Sequence, residues 1–155
     1  MVFNVQKNVN PHFKPVWISS EPYNILKGGR NSFKSSVIAL KLVYMMIKYI
    51  KKGNTSNDVI IRKVANTISH SVFNKIQCAL QFYGFFGGFK TTVSPFKRIH
   101  KKTGSTCYFY GQDDFQKLKS NDIGNIIAVW YEEAAQLDRQ RGCDHAQLSD
   151  LAELQ

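Results

Sequence analysis

Two short stretches hold the residue types that chemistry needs. The run Gly28-Gly29-Arg30-Asn31-Ser32-Phe33-Lys34-Ser35 is glycine-rich, then basic, then hydroxylic, and it precedes a segment with helical periodicity. A tight turn with few side chains aims backbone N–H groups inward at the positive end of a helix dipole, where a polyphosphate exchanges its water shell for donors. In such a loop Lys34 reaches the β/γ-phosphates and the Ser35 hydroxyl completes a Mg²⁺ shell. The second stretch, Ile126-Ile127-Ala128-Val129-Trp130-Tyr131-Glu132-Glu133, is an apolar run ending in two carboxylates. Hydrolysis of a nucleoside triphosphate needs one carboxylate to hold the metal through water and one to polarise the attacking water. Adjacent residues at a strand end point in different directions, so Glu132 and Glu133 can take separate roles.

Each stretch also has a plainer reading. A Gly-Gly turn followed by a chance Lys-Ser is an ordinary helix start, and paired acids are at home at a solvated helix N-terminus. Measured against G-x-x-x-x-G-K-[ST], Phe33 occupies the place of the second glycine, and a Phe accepts only negative φ without strain. The two stretches in this chain order, about a hundred residues apart, favour a nucleotide site over either plain reading.

The elements that must position these residues follow from periodicity. Prolines at 11, 15 and 22 predict an irregular arm over about the first 20 residues. Tyr23-Asn24-Ile25-Leu26 predicts a short strand before the loop, and Lys34 to Lys52 a helix with Ile38, Leu42, Met45 and Tyr49 along one stripe. Val59-Ile60-Ile61 predicts a second strand. Ile68, Val72, Ile76 and Leu80 predict a helix over Thr67 to Phe82, ended by Gly84 to Gly88. Lys97 to Gly104 reads as a basic turn, Thr106 to Tyr110 as a third strand, and Ile126 to Tyr131, apolar without alternation, as a fourth strand buried on both faces. Alternating strands and helices with such a strand predict an α/β fold with a largely parallel central sheet flanked by helices.

Composition bounds the function class. The 155 residues are 43% apolar and 21% charged, a foldable globular composition. The longest apolar stretch, Val37 to Ile50, is interrupted by Lys41 and Lys48, so no membrane-spanning helix and no membrane partner are expected. MVFNVQKNVNPHFKP lacks a secretory core, and Cys78, Cys107 and Cys143 make no paired disulfide framework, which fits a reducing, intracellular setting. The net charge of +10 divides into +15 over residues 1–104 and −5 over residues 105–155. A basic first portion points to a polyanion, nucleotide or nucleic acid, with a lysine-rich skin as the alternative.

With these residues in view the chain resembles the N-terminal ATPase domain of the large terminase subunit of tailed bacteriophages. The resemblance rests on the glycine-rich loop with Arg30, Ile61-Arg62-Lys63-Val64 followed by Ser71-Val72, Tyr110-Gly111-Gln112-Asp113-Asp114 with Lys117-Leu118-Lys119-Ser120, and Trp130-Tyr131-Glu132-Glu133-Ala134. It runs from about Tyr23 to Leu137. It implies a P-loop NTPase with an incomplete ASCE-type core over 23–137, after an irregular arm at 1–22 and before an atypical tail at 138–155. It further implies ATP and Mg²⁺ as cofactors, with Gly28 to Ser35 cradling the nucleotide, Arg30 sensing or stabilising the γ-phosphate, Ser35 and Glu132 at the metal, and Glu133 as the catalytic carboxylate. The implied partners are double-stranded DNA, a portal protein, a small terminase subunit and like subunits in a ring, in the host cytoplasm.

Phe33 departs from the family loop. The chain also stops 22 residues after Glu133, where another strand and a nuclease domain are expected. The tail Asp138-Arg139-Gln140-Arg141-Gly142-Cys143-Asp144-His145 is unlike that continuation and reads as a truncated or frameshifted frame, with a short helix expected over Ala146 to Leu154. The alternatives left open are a DNA-binding remnant that does not hydrolyse ATP, and another ring or helicase-like ATPase. Arg62 stands either near phosphates, against a carboxylate, or as a plain surface charge. Asp113, Asp114, Lys117 and Lys119 read as a solvated network, and Phe85-Phe86-Gly87-Gly88-Phe89 as core beside a turn rather than a base-stacking site. Lone His70 and His100 and the scattered cysteines lack zinc-ligand spacing.

Overall fold

The computed structural model describes residues 9–29, 32–63, 71–112 and 122–133. Its elements in chain order are a 3₁₀ turn at Pro11–Phe13, α1 (Lys14–Ile18), α2 (Lys34–Lys51), β1 (Asn57–Arg62), α3 (Val72–Phe82), a 3₁₀ turn at Phe86–Gly88, β2 (Phe89–Val93), β3 (Phe96–His100), β4 (Thr106–Gly111) and β5 (Ile126–Glu132). The five strands make one sheet in the order β2-β3-β4-β1-β5.

The chain is thus α/β, and its sheet is mixed rather than largely parallel. β1 runs parallel to both β4 and β5, whereas β2–β3 and β3–β4 are antiparallel. The antiparallel half comes from the segment read as a basic turn. Lys97, Arg98, Ile99 and His100 alternate across β3: Lys97 lies over the Tyr108 ring on one face, and Arg98 is buried on the other. Arg98 donates to Thr91 Oγ1 (2.8 Å) and Gln77 Oε1 (2.6 Å) and stacks on Phe73, its carbon 4.0 Å from the ring centroid. Those partners let a guanidinium sit in a core, so a run that looks solvated becomes a strand.

Burial also differs from the apolar-run expectation. The strand covered on both sides is β1, whose residues from Asn57 to Ile61 are all buried. β5 lies at the edge of the described sheet, and within it only Trp130 is buried. α2 and α3 cover one face of the sheet. Leu42, Val43, Met46, Ile47 and Ile50 of α2 and Val72, Phe73, Ile76, Ala79 and Leu80 of α3 form a single cluster with Ile60, Cys107, Phe109 and Trp130. The opposite face groups Val59, Ile61 and Tyr110 with Tyr108, Val129 and Tyr131.

The N-terminal arm is more ordered than its prolines suggest. Pro11 and Pro15 sit in first turns, where a missing N–H costs nothing, and Asn10 caps His12 N at 2.9 Å. Val9, Phe13, Val16 and Trp17 pack on Val37 and Leu26, and the Lys41 amine donates to the Val16 carbonyl (2.6 Å) at the C-terminal end of α1. Tyr23–Leu26 joins no ladder, and Ile25 is 95% exposed, so the expected first strand does not form. The expected helix start over Thr67 to His70, Asp113 to Ser120 and everything after Glu133 lie outside the described residues.

Candidate functional site

The loop and the carboxylates meet at the C-terminal ends of β1 and β5. Asn57 fixes that geometry from the far end: its Oδ1 accepts from Thr106 N (3.0 Å) while its Nδ2 donates to Gly124 O (2.5 Å), locking β1 between β4 and β5. Ser35 occupies the first turn of α2, and its hydroxyl donates to Glu132 Oε1 at 2.7 Å across 97 residues of sequence. Glu132 is the last residue of β5 and pairs in register with Arg62 on β1.

One residue later the backbone turns sharply. Glu133 adopts φ 56°, which swings its carboxylate away from the Ser35 side and onto Arg62, Nη2 to Oε2 at 3.2 Å. The adjacent glutamates therefore have separate partners, a hydroxyl for one and a guanidinium for the other. Arg62 is placed against a carboxylate, one of the readings its sequence position left open.

Lys34 folds back into the loop. Its amine donates to Gly28 O (2.7 Å), Gly29 O (2.9 Å) and Ser32 Oγ (2.6 Å). Gly28 leaves room for this approach: a Cβ there would lie 3.4 Å from the Lys34 amine, at ordinary contact distance. Phe33 takes φ 59°, ψ 5° as the N-cap of α2, the left-handed conformation a glycine would supply, with its ring 72% exposed. The loop thus keeps its turn despite the substitution, at the strain a Cβ imposes there. Arg30 and Asn31 lie outside the described residues, as does Ala134.

Sequence comparison gives the family. The family described as phage terminase large subunit matches residues 20–147. The chain belongs to that family. It is 30% identical over 138 residues to the terminase large subunit of Bacillus phage SPP1, covering 85% of this chain and 32% of that protein. To the PBSX phage terminase large subunit of Bacillus subtilis (strain 168) it is 34% identical over 135 residues, 86% of this chain and 29% of that one. This terminase chain spans about a third of the length of these relatives.

Two buried charge-bearing residues of the terminase chain escaped the sequence reading. Arg98 is one. Asp58, fully buried on β1 between Cys107 on β4 and Ala128 on β5, is the other. Neither Asp58 oxygen has a hydrogen-bond partner, and burial raises its pKa well above 3.8. Burial likewise pushes the Cys107 thiol up, with Asp58 adding to the effect. A lone acid one residue ahead of an apolar triplet carries no signal of such burial. The described residues contain no group of three or more His, Cys, Asp or Glu placed to hold a metal, and no helix long and apolar enough to cross a membrane.

Proposed function

We propose that this chain is the nucleotide-binding, ATP-hydrolysing part of a DNA-packaging motor, a P-loop NTPase core. The observation that carries the reading is the 2.7 Å contact between Ser35 and Glu132, which joins a phosphate-loop hydroxyl to the acid ending a sheet strand. A hydroxyl and a carboxylate are hard oxygen donors, the set that suits Mg²⁺. Ser35 and Glu132 would hold that ion, which when bound offsets charge on the β- and γ-phosphates. The Lys34 amine, now satisfied by loop oxygens, transfers its three donors to phosphate oxygens, and Arg30 adds charge at the γ-phosphoryl. Glu133 orients water for in-line attack once it leaves Arg62, because an ion-paired carboxylate is a poor acceptor for a water proton.

On this reading hydrolysis drives packaging of double-stranded DNA, with a portal protein, a small terminase subunit and a ring of like subunits as partners in the host cytoplasm. No membrane partner enters it. The test is ATP affinity of Lys34→Ala, measured by calorimetry on the full chain with Mg²⁺ present. Loss of one charge-assisted contact at about 1.5–3 kcal/mol predicts at least about a 10-fold weaker Kd. Undiminished affinity would overturn the site assignment.

A further inference from the structure

A second set of donors converges at the other end of the sheet. β3 ends and β4 begins there, and the C-terminal ends of α2 and α3 lie beside them; Glu132, in contrast, ends β5. A cavity of about 630 Å³ opens between these elements, lined by Lys51, Phe85, His100, Lys102 and Thr103 and by the backbones of four glycines. Its volume falls within the range of small-ligand sites.

His100 is the best-defined donor. Thr103 N–H donates to its Nδ1 (3.3 Å), and Thr103 Oγ1, itself 2.8 Å from Ser105 Oγ, lies 3.0 Å from the same nitrogen. With Nδ1 accepting, the proton of the neutral ring sits on Nε2. Gly88 stands beside that edge without a side chain, where a Cβ would lie 3.4 Å from Nε2. Gly53, Gly84 and Gly87 carry open space where their side chains would be.

Charge at the cavity is one-sided. Lys51 and Lys102 line it, Lys52 and Lys101 flank them in sequence, and no carboxylate is among its lining residues. The Lys101 amine is used structurally, donating to Gly87 O at 3.0 Å, while Lys51 rests over the Phe85 ring at 6.0 Å. Two helix C-termini contribute roughly half a negative charge each, which four lysines exceed several-fold.

We propose that this cavity binds a phosphate group, through Lys51, Lys102 and the Nε2–H of His100, at a site separate from the Lys34 loop. Inorganic polyphosphate and the backbone of a nucleic acid present the same chemistry, and Phe85 offers an apolar wall to whatever the phosphate is attached to. Burial, and after it the Lys102 charge, lower the His100 pKa. A bound anion would raise it again.

The test uses the full chain with two probes, sodium pyrophosphate and a short DNA duplex. Each is followed by the His100 imidazole resonances in NMR, and duplex affinity is measured across a salt series. Saturable movement of the His100 signals with pyrophosphate is expected, together with an upward shift of its pKa, and both should vanish in Lys51→Ala/Lys102→Ala. If the phosphate is a DNA backbone, the same double variant lowers the slope of log K against log salt by about 1.8, at about 0.9 per lost phosphate contact. Lys14→Ala/Lys63→Ala, both exposed and with Lys63 just past the C-terminal end of β1 at the opposite end of the sheet, then leaves the slope unchanged. A pyrophosphate response with an unaltered duplex slope supports the cavity and assigns it to a small phosphate. His100 signals unmoved by either probe, or a control pair that lowers the slope as much, would overturn the proposal.

Discussion

Phe33 offers the sharpest test of the loop geometry, because its φ of 59° sets a sign rather than a size. Phe33→Ala and Phe33→Gly both remove the ring, which is already 72% exposed, so both lose the same small burial and their difference isolates the backbone. Alanine keeps a Cβ against the following carbonyl in the left-handed region, at about 1–2 kcal/mol. Glycine escapes that strain but loses about 0.5–1 kcal/mol more in chain entropy on folding. The glycine variant should therefore be the more stable of the two by about 0.5–1 kcal/mol, a Tm about 1–4 °C higher for a chain of this size. Lys48, exposed within α2, supplies the internal reference: there the order must reverse, with alanine above glycine by about 1 kcal/mol. Urea or thermal unfolding of the four variants measures both differences. An alanine variant at 33 as stable as the glycine one would refute the left-handed N-cap and, with it, the claim that this loop keeps a glycine-type turn.

Two further outcomes concern the buried polar residues. Asp58 has a folded pKa raised by burial above its ordinary value of 3.8, so as pH rises past that value the unfolded state ionises while the folded state keeps its proton. The stability of the native chain relative to Asp58→Asn should fall with increasing pH above about 4, by up to about 1.4 kcal/mol per unit. Denaturation at pH 4, 5 and 6 measures the gap, and a constant gap would show an Asp58 that is not buried as a neutral acid. Arg98→Ala leaves a void against Phe73 and takes the donor from Gln77 and Thr91, and should cost about 2–5 kcal/mol, mostly in lost packing. A loss below 1 kcal/mol in urea unfolding would place Arg98 at the surface.

What the sequence disclosed and what it concealed divide along physical lines. α2, β1, β4 and β5 were legible as elements because each has a periodicity or apolar run strong enough to decide it without its neighbours, although the buried face of α2 runs through Val43, Met46 and Ile50 and leaves Tyr49 of the expected stripe exposed. β2 and β3 were not, since Lys97-Arg98-Ile99-His100 becomes a strand only when Thr91, Gln77 and Phe73 arrive to hold Arg98, and local pattern contains no trace of them. Tyr23–Leu26 fails in the opposite direction. It has β-forming residues but makes no ladder, and strand propensity without a ladder leaves Ile25 in water. The loop residues could be picked out by type and spacing, but their contacts could not. No spacing rule says that Lys34 rests on Gly28 and Gly29, or that a left-handed turn at Glu133 delivers its carboxylate to Arg62.

That last contact bears on how the carboxylates divide their work. Glu132 and Glu133 are neighbours, yet one ends a strand in extended conformation and the other turns at φ 56°, so their side chains diverge without any difference in residue type. The Ser35–Glu132 contact is half-buried, whereas the Arg62–Glu133 pair has side chains 19% and 42% exposed. A partly exposed pair of this kind is worth about 1 kcal/mol. Separating Glu133 from Arg62 is therefore a small cost beside the binding of a triphosphate, whereas Ser35 and Glu132 are already positioned. The arrangement holds the metal-binding half of the proposed site ready and leaves the water-orienting half easily released, the order in which substrate binding and hydrolysis would call on them.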